Sequence, residues 1–359
     1  MMITTLRTTA VLLVGTVVAV AGAATAQRSA RPVAAAADAA ATTARIVTAA
    51  QAVVKTLDEG GRAKVQFPFD GPQKTRWSNL PTGIFERQGL RLGDLTPPQH
   101  AAVNELLRAA LSADGYRKVT EIMRGDEMLR TPSGGNIPPA RGGRGGGRGL
   151  VFGDAEYYLA FLGTPSATSP WMLQFGGHHL AINLTMAGSR ATMAPSLPAA
   201  QPATYTFEGR EIRPLGKEND TAFALINALD EKQRGQAVIG ARVADLVLGP
   251  GQDGRVIQPE GLRASAMSAA QQEMLMALVR EWAGMMSDAF AAPRLAEIRG
   301  NLPQTWFAWS GPITNGSAAY FRIQGPTLVI EYAPQGGTDH IHTIYRDPTN
   351  DYGASIAAK

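Results

Sequence analysis

A chain of 359 residues with a net charge of +4 and no cysteine can build a sizeable core, but packing alone must hold it, since thiol catalysis, disulfides and a lipidated N-terminal cysteine are excluded. The mild positive balance comes partly from Arg141 to Arg148 in RGGRGGGRG. That tract interleaves no aromatic residue for base stacking, so no nucleic-acid partner is expected, and residues 133–149 read as a flexible solvated insertion.

At the N-terminus, Arg7, the apolar run Ala10 to Val20 and the small-x-small triplet Ala24-Thr25-Ala26 form an export signal over residues 1–26, with Gln27 as mature start. The apolar run is shorter than the ~20 residues a span needs, so no stable membrane span is expected after cleavage and the location is periplasmic or secreted. Residues 27–42 are Ala-rich and expected to be disordered, followed by a single domain over 43–359.

Within that domain, Ile46, Val47, Ala50, Val53, Val54 and Leu57 recur at helical spacing and predict a helix over Thr43 to Glu59, ended by Gly60-Gly61. VQFPFD and the stretch from Thr75 to Leu95 read as short strands and turns. Thr96-Pro97-Pro98 opens a second helix with Val103, Leu106, Leu107, Ala110 and Leu111 on one face; His100 in its first turn is assigned no role. FGDAEYYLAFLGTPS and SPWMLQFGGHHLAINLTMAG then read as successive strands. Helices follow over Asn219 to Arg234 and Ser268 to Ala291, the second with a methionine row (Met267, Met274, Met276, Met285, Met286) that reads as core packing rather than a copper site. From Gln304 onward the chain is β again. Helices and strands in blocks, without regular alternation, predict an α+β fold: an antiparallel sheet packed against amphipathic helices.

Four of the five histidines fall in two strand-like segments: His178 and His179 in QFGGHHLAINLT, His340 and His342 in GGTDHIHTIYRD. With Gly325-Pro326 as a two-residue turn, Tyr320 faces Glu331 and Arg322 faces Val329; symmetric closure of Pro334 to Asp339 sets Ala333 against His340 and Glu331 against His342. Tyr320, Arg322, Glu331, His340 and His342 then share one face, and Leu328, Ile330, Tyr332, Ile341, Thr343 and Tyr345 take the apolar one. Histidines two apart on a strand lie about 6.6 Å apart at Cα, within reach of one ion. His178 and His179, if on a strand, point to opposite faces; His179 is favoured, because it shares a face with Ala181 and Asn183 while Leu180 and Ile182 share the apolar one. Gly176-Gly177 would allow a close backbone approach. Arg76-Trp77-Ser78-Asn79 is a polar and aromatic cluster in which Trp77 reads as core, and Arg346 to Tyr352 reads as a capped turn. No nucleophile elbow, phosphate loop or dinucleotide fingerprint occurs.

RWSNLP (Arg76 to Pro81), QFGGHHLAINLT (Gln174 to Thr185), FAWSG (Phe307 to Gly311) and IEYAPQGGTDHIHTIYRDPTNDYG (Ile330 to Gly353) resemble the bacterial domain-of-unknown-function family 3500 over most of the mature chain, from Val53 to Gly353. The resemblance implies an exported protein with its histidine segments in one domain, and no substrate; the insertion at Gly142 to Gly149 looks peculiar to this chain.

The functional expectation is an exported metal-dependent hydrolase. His179, His340 and His342 hold a divalent metal, zinc favoured with copper or iron possible. Glu331 completes the shell or takes a proton from bound water, Arg322 steadies an anionic substrate and Tyr320 donates a proton. The substrate would be a small molecule or derived from the envelope. The alternatives are copper or iron redox chemistry on the same ligands, a metal-free histidine and carboxylate site, or a non-catalytic periplasmic binding protein whose Trp77, Trp171, Trp306 and Trp309 line a cleft.

Overall fold

Apart from two short strands that only the first possesses, Gln66–Phe67 and Arg190–Thr192, two stretches of the chain fold into the same order of elements. The computed structural model describes residues 19–130, 149–240 and 242–358, with side chains of the first helix from Ala34 onward. The expected export signal up to residue 18, and the Gly/Arg insertion up to residue 148, lie outside the described residues. The first stretch runs α1 (Ala19–Lys55), α2 (Glu59–Val65), β1 (Gln66–Phe67), β2 (Leu90–Arg91), α3 (Pro97–Ala110), α4 (Ala113–Arg130), β3 (Tyr158–Leu162), β4 (Trp171–Gly177), β5 (Leu180–Ala187), β6 (Arg190–Thr192) and β7 (Ser196–Pro198). A small hairpin, β8 (Tyr205–Phe207) and β9 (Arg210–Ile212), leads into the second: α5 (Gly216–Ala228), α6 (Glu231–Ala237), β10 (Leu262–Arg263), α7 (Ala269–Ala283), α8 (Asp288–Gly300), β11 (Trp306–Ser310), β12 (Tyr320–Gly325), β13 (Leu328–Pro334) and β14 (Ile341–Arg346), before α9 (Ala354–Ala357).

The fold is α+β, built on one sheet of twelve strands in the order β1-β3-β4-β5-β7-β14-β13-β12-β11-β10, with β2 on β3 and β6 on β5. All pairings are antiparallel except β1 with β3, where α2 carries the chain back to run alongside β3. Each stretch has its own apolar core under its half of the sheet: one gathers Ile46, Leu106, Phe161, Trp171 and Phe175, the other Phe223, Trp282, Phe307, Trp309 and Phe321. Burial at roughly 25 cal/mol per Å² of apolar surface makes these two cores the main source of stability.

The register repeats as well as the order. Leu90 faces Leu159 in the first half and Leu262 faces Phe307 in the second. Gly177 and Leu180 close the β4–β5 hairpin; Gly325 and Leu328 close β12–β13 in the same way. Asp58 caps α2 by accepting from the Gly61 amide, and Asp230 caps α6 by accepting from the Gln233 amide. In the sequence, Leu57-Asp58-Glu59 with Arg62 answers Leu229-Asp230-Glu231 with Arg234, and Gly89-Leu90-Arg91 answers Gly261-Leu262-Arg263. The halves are related by an approximate two-fold axis. In the sheet it passes through Ser196 and Tyr345, which occupy matching positions opposite Ile182 and Ile330 and also face each other. In the helical layer it passes through the α3–α4 and α7–α8 connections, where Ser112 N–H donates to Met285 O and Ser287 N–H donates to Ala110 O.

Several expected boundaries move for local reasons. The expected first helix divides because Asp58 starts a new one, leaving Gly60-Gly61 inside α2. The Ala-rich residues expected to be disordered lie in α1, in line with alanine's helix propensity, and Ala39 is buried. The helices expected over Asn219 to Arg234 and Ser268 to Ala291 each divide, at the Asp230 cap and after Gly284. α4 had no expectation, and Arg76 to Gly89 crosses the sheet as irregular chain rather than as strand. Met267, Met276, Met285 and Met286 are buried in the cores, as a packing role requires.

The C-terminal registers shift by two residues from expectation. The two-residue turn is Pro326-Thr327, so Arg322 faces Glu331, and Ala333 faces His342. A shift of two preserves side-chain parity, so the facial assignment stands: Leu328, Ile330, Tyr332, Ile341 and Tyr345 enter the helical core, while Arg322, Glu331 and His342 lie on the opposite face.

Candidate metal centre

On that opposite face two irregular segments cross the sheet, one from each half. The first, around Trp77 to Arg87, is tied down by Arg87, which donates to Ser78 O at 2.8 Å, Leu80 O at 2.6 Å and Gly177 O at 2.7 Å. The second, around Asp245 to Asp253, is held by Arg346, which donates to Leu248 O and Gly249 O and pairs with Asp253 at 2.9 Å. Between them, at the seam of the two halves, the β4–β5 hairpin tip meets the start of β14.

His178 and His179 form that tip. They do not diverge across a strand as expected; their rings stack with centroids 3.7 Å apart, because the turn brings consecutive side chains to one side. His179 adopts φ +61°, a left-handed conformation uncommon outside glycine and asparagine and often stored at functional sites. The tip is fixed on all sides: Tyr157 O–H donates to His178 O at 2.7 Å, His179 N–H to Asn79 O at 3.1 Å and Ala199 N–H to His179 O at 2.8 Å. A Cβ on Gly177 would sit 2.7 Å from the Tyr157 ring, which is the close approach the Gly176-Gly177 pair permits.

The Nε2 atom of His179 lies 2.9 Å from that of His340, and His340 Nε2 lies 3.0 Å from that of His342. One nitrogen of each of the three rings falls within 4.8 Å of the others, so the three histidines could hold one metal ion. His178 turns away to Asp126 on α4, with Nδ1 2.6 Å from a carboxylate oxygen and both groups buried.

Burial disfavours a charge on His179 and His340. Burial, followed by the nearby His178, His340 and His342, holds His179 well below the ordinary histidine range. Burial and then His342 lower His340 to about 4, with Asp245 opposing. His342 carries a carboxylate partner: Nδ1 lies 3.0 Å from Asp245 Oδ1. Burial pushes Asp245 up, but its hydrogen bonds from His342 and the Leu246 amide outweigh this and leave it below the usual carboxylate range. An ionised carboxylate only accepts, so His342 Nδ1 carries the proton of this contact and the ring is oriented with Nε2 toward the cluster. The Asn79 amide lies 3.2 Å from that Nε2.

The structure thus brings together His179, His340 and His342 and leaves the other expected residues outside. Both Glu331 oxygens are engaged, accepting from the Val247 and Leu248 amides at 2.7 and 2.8 Å and from Tyr320 O–H at 2.9 Å. Glu331 therefore anchors the segment that bears Asp245, two residues along β13 from the strand position facing His342. Burial pushes it above its usual range, in part offset by those three donors. Arg322 pairs with Glu260 at 2.7 Å. The four tryptophans also separate: Trp171 and Trp309 are fully buried in different cores, and Trp77 packs with Ala181, Leu197 and Ile344 while donating to Tyr352 O–H at 2.8 Å. The residues after β14 form the expected capped turn, Asp347 accepting from Thr349 N–H and Asp351 from Asp347 N–H.

Three contributors had no individual expectation. Asn79 stands in the RWSN cluster, where the tryptophan drew the structural reading. Asp245 and Asp126 sit in ARVADLVLG and RGDE, with no metal-ligand spacing to flag them. No curated protein and no solved structure matches the chain. A family model matches residues 39–354, nearly the whole described molecule, and the chain belongs to that family, described as "Protein of unknown function (DUF3500)".

Proposed function

We propose that this protein is an exported metal-dependent enzyme, a hydrolase in which His179, His340 and His342 hold a divalent ion, zinc favoured, and leave an open position for water. The observation that carries this reading is the approach of three Nε2 atoms to 2.9 and 3.0 Å, with burial lowering the pKa of His179 and His340. Such a set has lone pairs to offer and few protons to hold it together, which is the composition a cation completes. The Asp245 to His342 contact supports it further, since a carboxylate on the far nitrogen orients a ligating ring and raises its basicity. Imidazole also suits copper and iron, so metal identity separates hydrolysis from redox chemistry on the same ligands.

Glu331, Tyr320 and Arg322 take supporting roles in this reading. Glu331, held by Tyr320, positions the segment bearing Asp245, and Arg322 pairs with Glu260; none of the three serves as a ligand. Export through residues 1–26 remains part of the proposal, and no described helix is long and apolar enough to cross a membrane.

The test is metal content by elemental analysis of the purified chain. Wild type should carry about one ion per chain. The His342→Ala variant should lose it, and Asp245→Ala should keep the fold while weakening affinity by roughly 10- to 100-fold. Full metal retention in His342→Ala, His340→Ala and His179→Ala alike would remove the site.

A further inference from the structure

Among the described residues, large apolar side chains left in contact with solvent are few, and most of them lie on two segments that adjoin the histidine cluster. Among the described residues six are exposed; four of these are Leu80 (42%), Ile84 (57%), Leu150 (43%) and Val151 (41%). They lie on two arms joined by an antiparallel bridge between Thr82 and Val151, with Val151 N–H donating to Thr82 O at 3.0 Å. The arms read Leu80-Pro81-Thr82-Gly83-Ile84-Phe85 and Gly149-Leu150-Val151-Phe152-Gly153, with no charged side chain on either.

Both arms attach directly to the site. Leu80 follows Asn79, which touches His342 through its side chain and His179 through its carbonyl. On the other arm, the Phe152 ring packs 5.1 Å from the His178 ring, and Gly153 N–H donates to Asp126, the partner of His178. The apolar lip is therefore continuous with the histidine cluster. Solvent-facing apolar surface of this kind is retained where something nonpolar binds.

We infer that the substrate carries a nonpolar chain, acyl, alkyl or aryl, which lies across Leu80, Ile84, Leu150 and Val151 while its hydrolysable group reaches the three histidines. The inference rests on the metal-centre reading and specifies its substrate class. A charged polymer or sugar would gain nothing from this lip.

The experiment uses the full chain loaded with zinc and a series of straight-chain hydroxamic acids from acetohydroxamic to octanohydroxamic acid, a metal-binding head with a growing tail. Affinity should rise about two- to fourfold per added methylene over the first few carbons. In the double variant Ile84→Ser, Val151→Ser, both changed side chains being exposed, that dependence should flatten, with zinc content and acetohydroxamic acid affinity unchanged. Tail-independent binding by wild type that still binds acetohydroxamic acid overturns the inference and leaves the metal centre standing. Tail-independent binding together with self-association lost in the double variant reassigns the lip to contact between copies and also overturns it. A chain that takes up no zinc and binds no hydroxamate overturns the metal centre, and the inference falls with it.

Discussion

The two halves share backbone geometry to the level of residue register, yet equivalent positions carry different chemistry. In the first half the hairpin tip is His178-His179; in the second it is Pro326-Thr327. Asp126 near the end of α4 receives His178, whereas Asn301, which follows the matching Arg-Gly that ends α8, reaches Thr327 at 3.4 Å. Beneath the crossing segments, Gln174 faces Asn183 and donates to it at 2.9 Å, where the second half sets Arg322 against Glu331. The caps, the close-approach glycines and the strand pairing are common to both halves, and these are what the backbone needs. The candidate metal centre joins His179 of the first half to His340 and His342 of the second and has no counterpart among their equivalent positions, because it depends on side chains that the repeated backbone does not require.

The largest test of this asymmetry lies where the halves lock together. Lys118 of α4 reaches into the second half, pairing with Glu218 of α5 and donating to Glu281 O at 2.6 Å, with both charged side chains buried. Aligning Asp58 with Asp230 puts Ile46 at the position of Glu218, and Ile46 is equally buried. Lys118→Met should strand the Glu218 carboxylate and cost about 3–5 kcal/mol in chemical denaturation. Adding Glu218→Leu should restore most of that loss, since the first half manages the same position with an apolar side chain; a double variant as unstable as the single one would contradict this.

Next in size are the paired glycines. Gly89 has φ +123° and Gly261 has φ +96°, and a Cβ on either would stand 2.5 or 2.2 Å from the carbonyl oxygen of the facing strand. Gly89→Ala and Gly261→Ala should each lose about 2 kcal/mol or more, from left-handed strain plus the clash. Markedly unequal losses would show that the two edges of the sheet are not equivalent. The smallest effect belongs to the caps: Asp58→Ala and Asp230→Ala should each lower stability by about 1 kcal/mol, by similar amounts in both halves, as read from thermal midpoints.

Much of this was legible beforehand, and the misses have physical causes. Apolar periodicity marked α3 and the cores of α1, α5 and α7, because burying one helical face demands it. Boundaries moved wherever a capping aspartate or a glycine restarted the chain. The C-terminal face assignment survived a wrong register because parity has period two, and the errors were both of two residues. The repeat itself stayed hidden, since only short pieces such as LDE and GLR coincide and the rest of each half matches in pattern rather than in identity.

The sequence by itself determined the element types, the apolar faces and the histidines worth watching, because each follows from local spacing and side-chain chemistry. Tertiary structure alone decided that His179 stacks on His178 yet points to His340, that Asp245 rather than Glu331 serves His342, and that an apolar lip borders the cluster. Those contacts join segments far apart in the chain, 97 residues for Asp245 with His342 and 161 for His179 with His340, and no local pattern encodes which side chains a long-range sheet pairing will bring together.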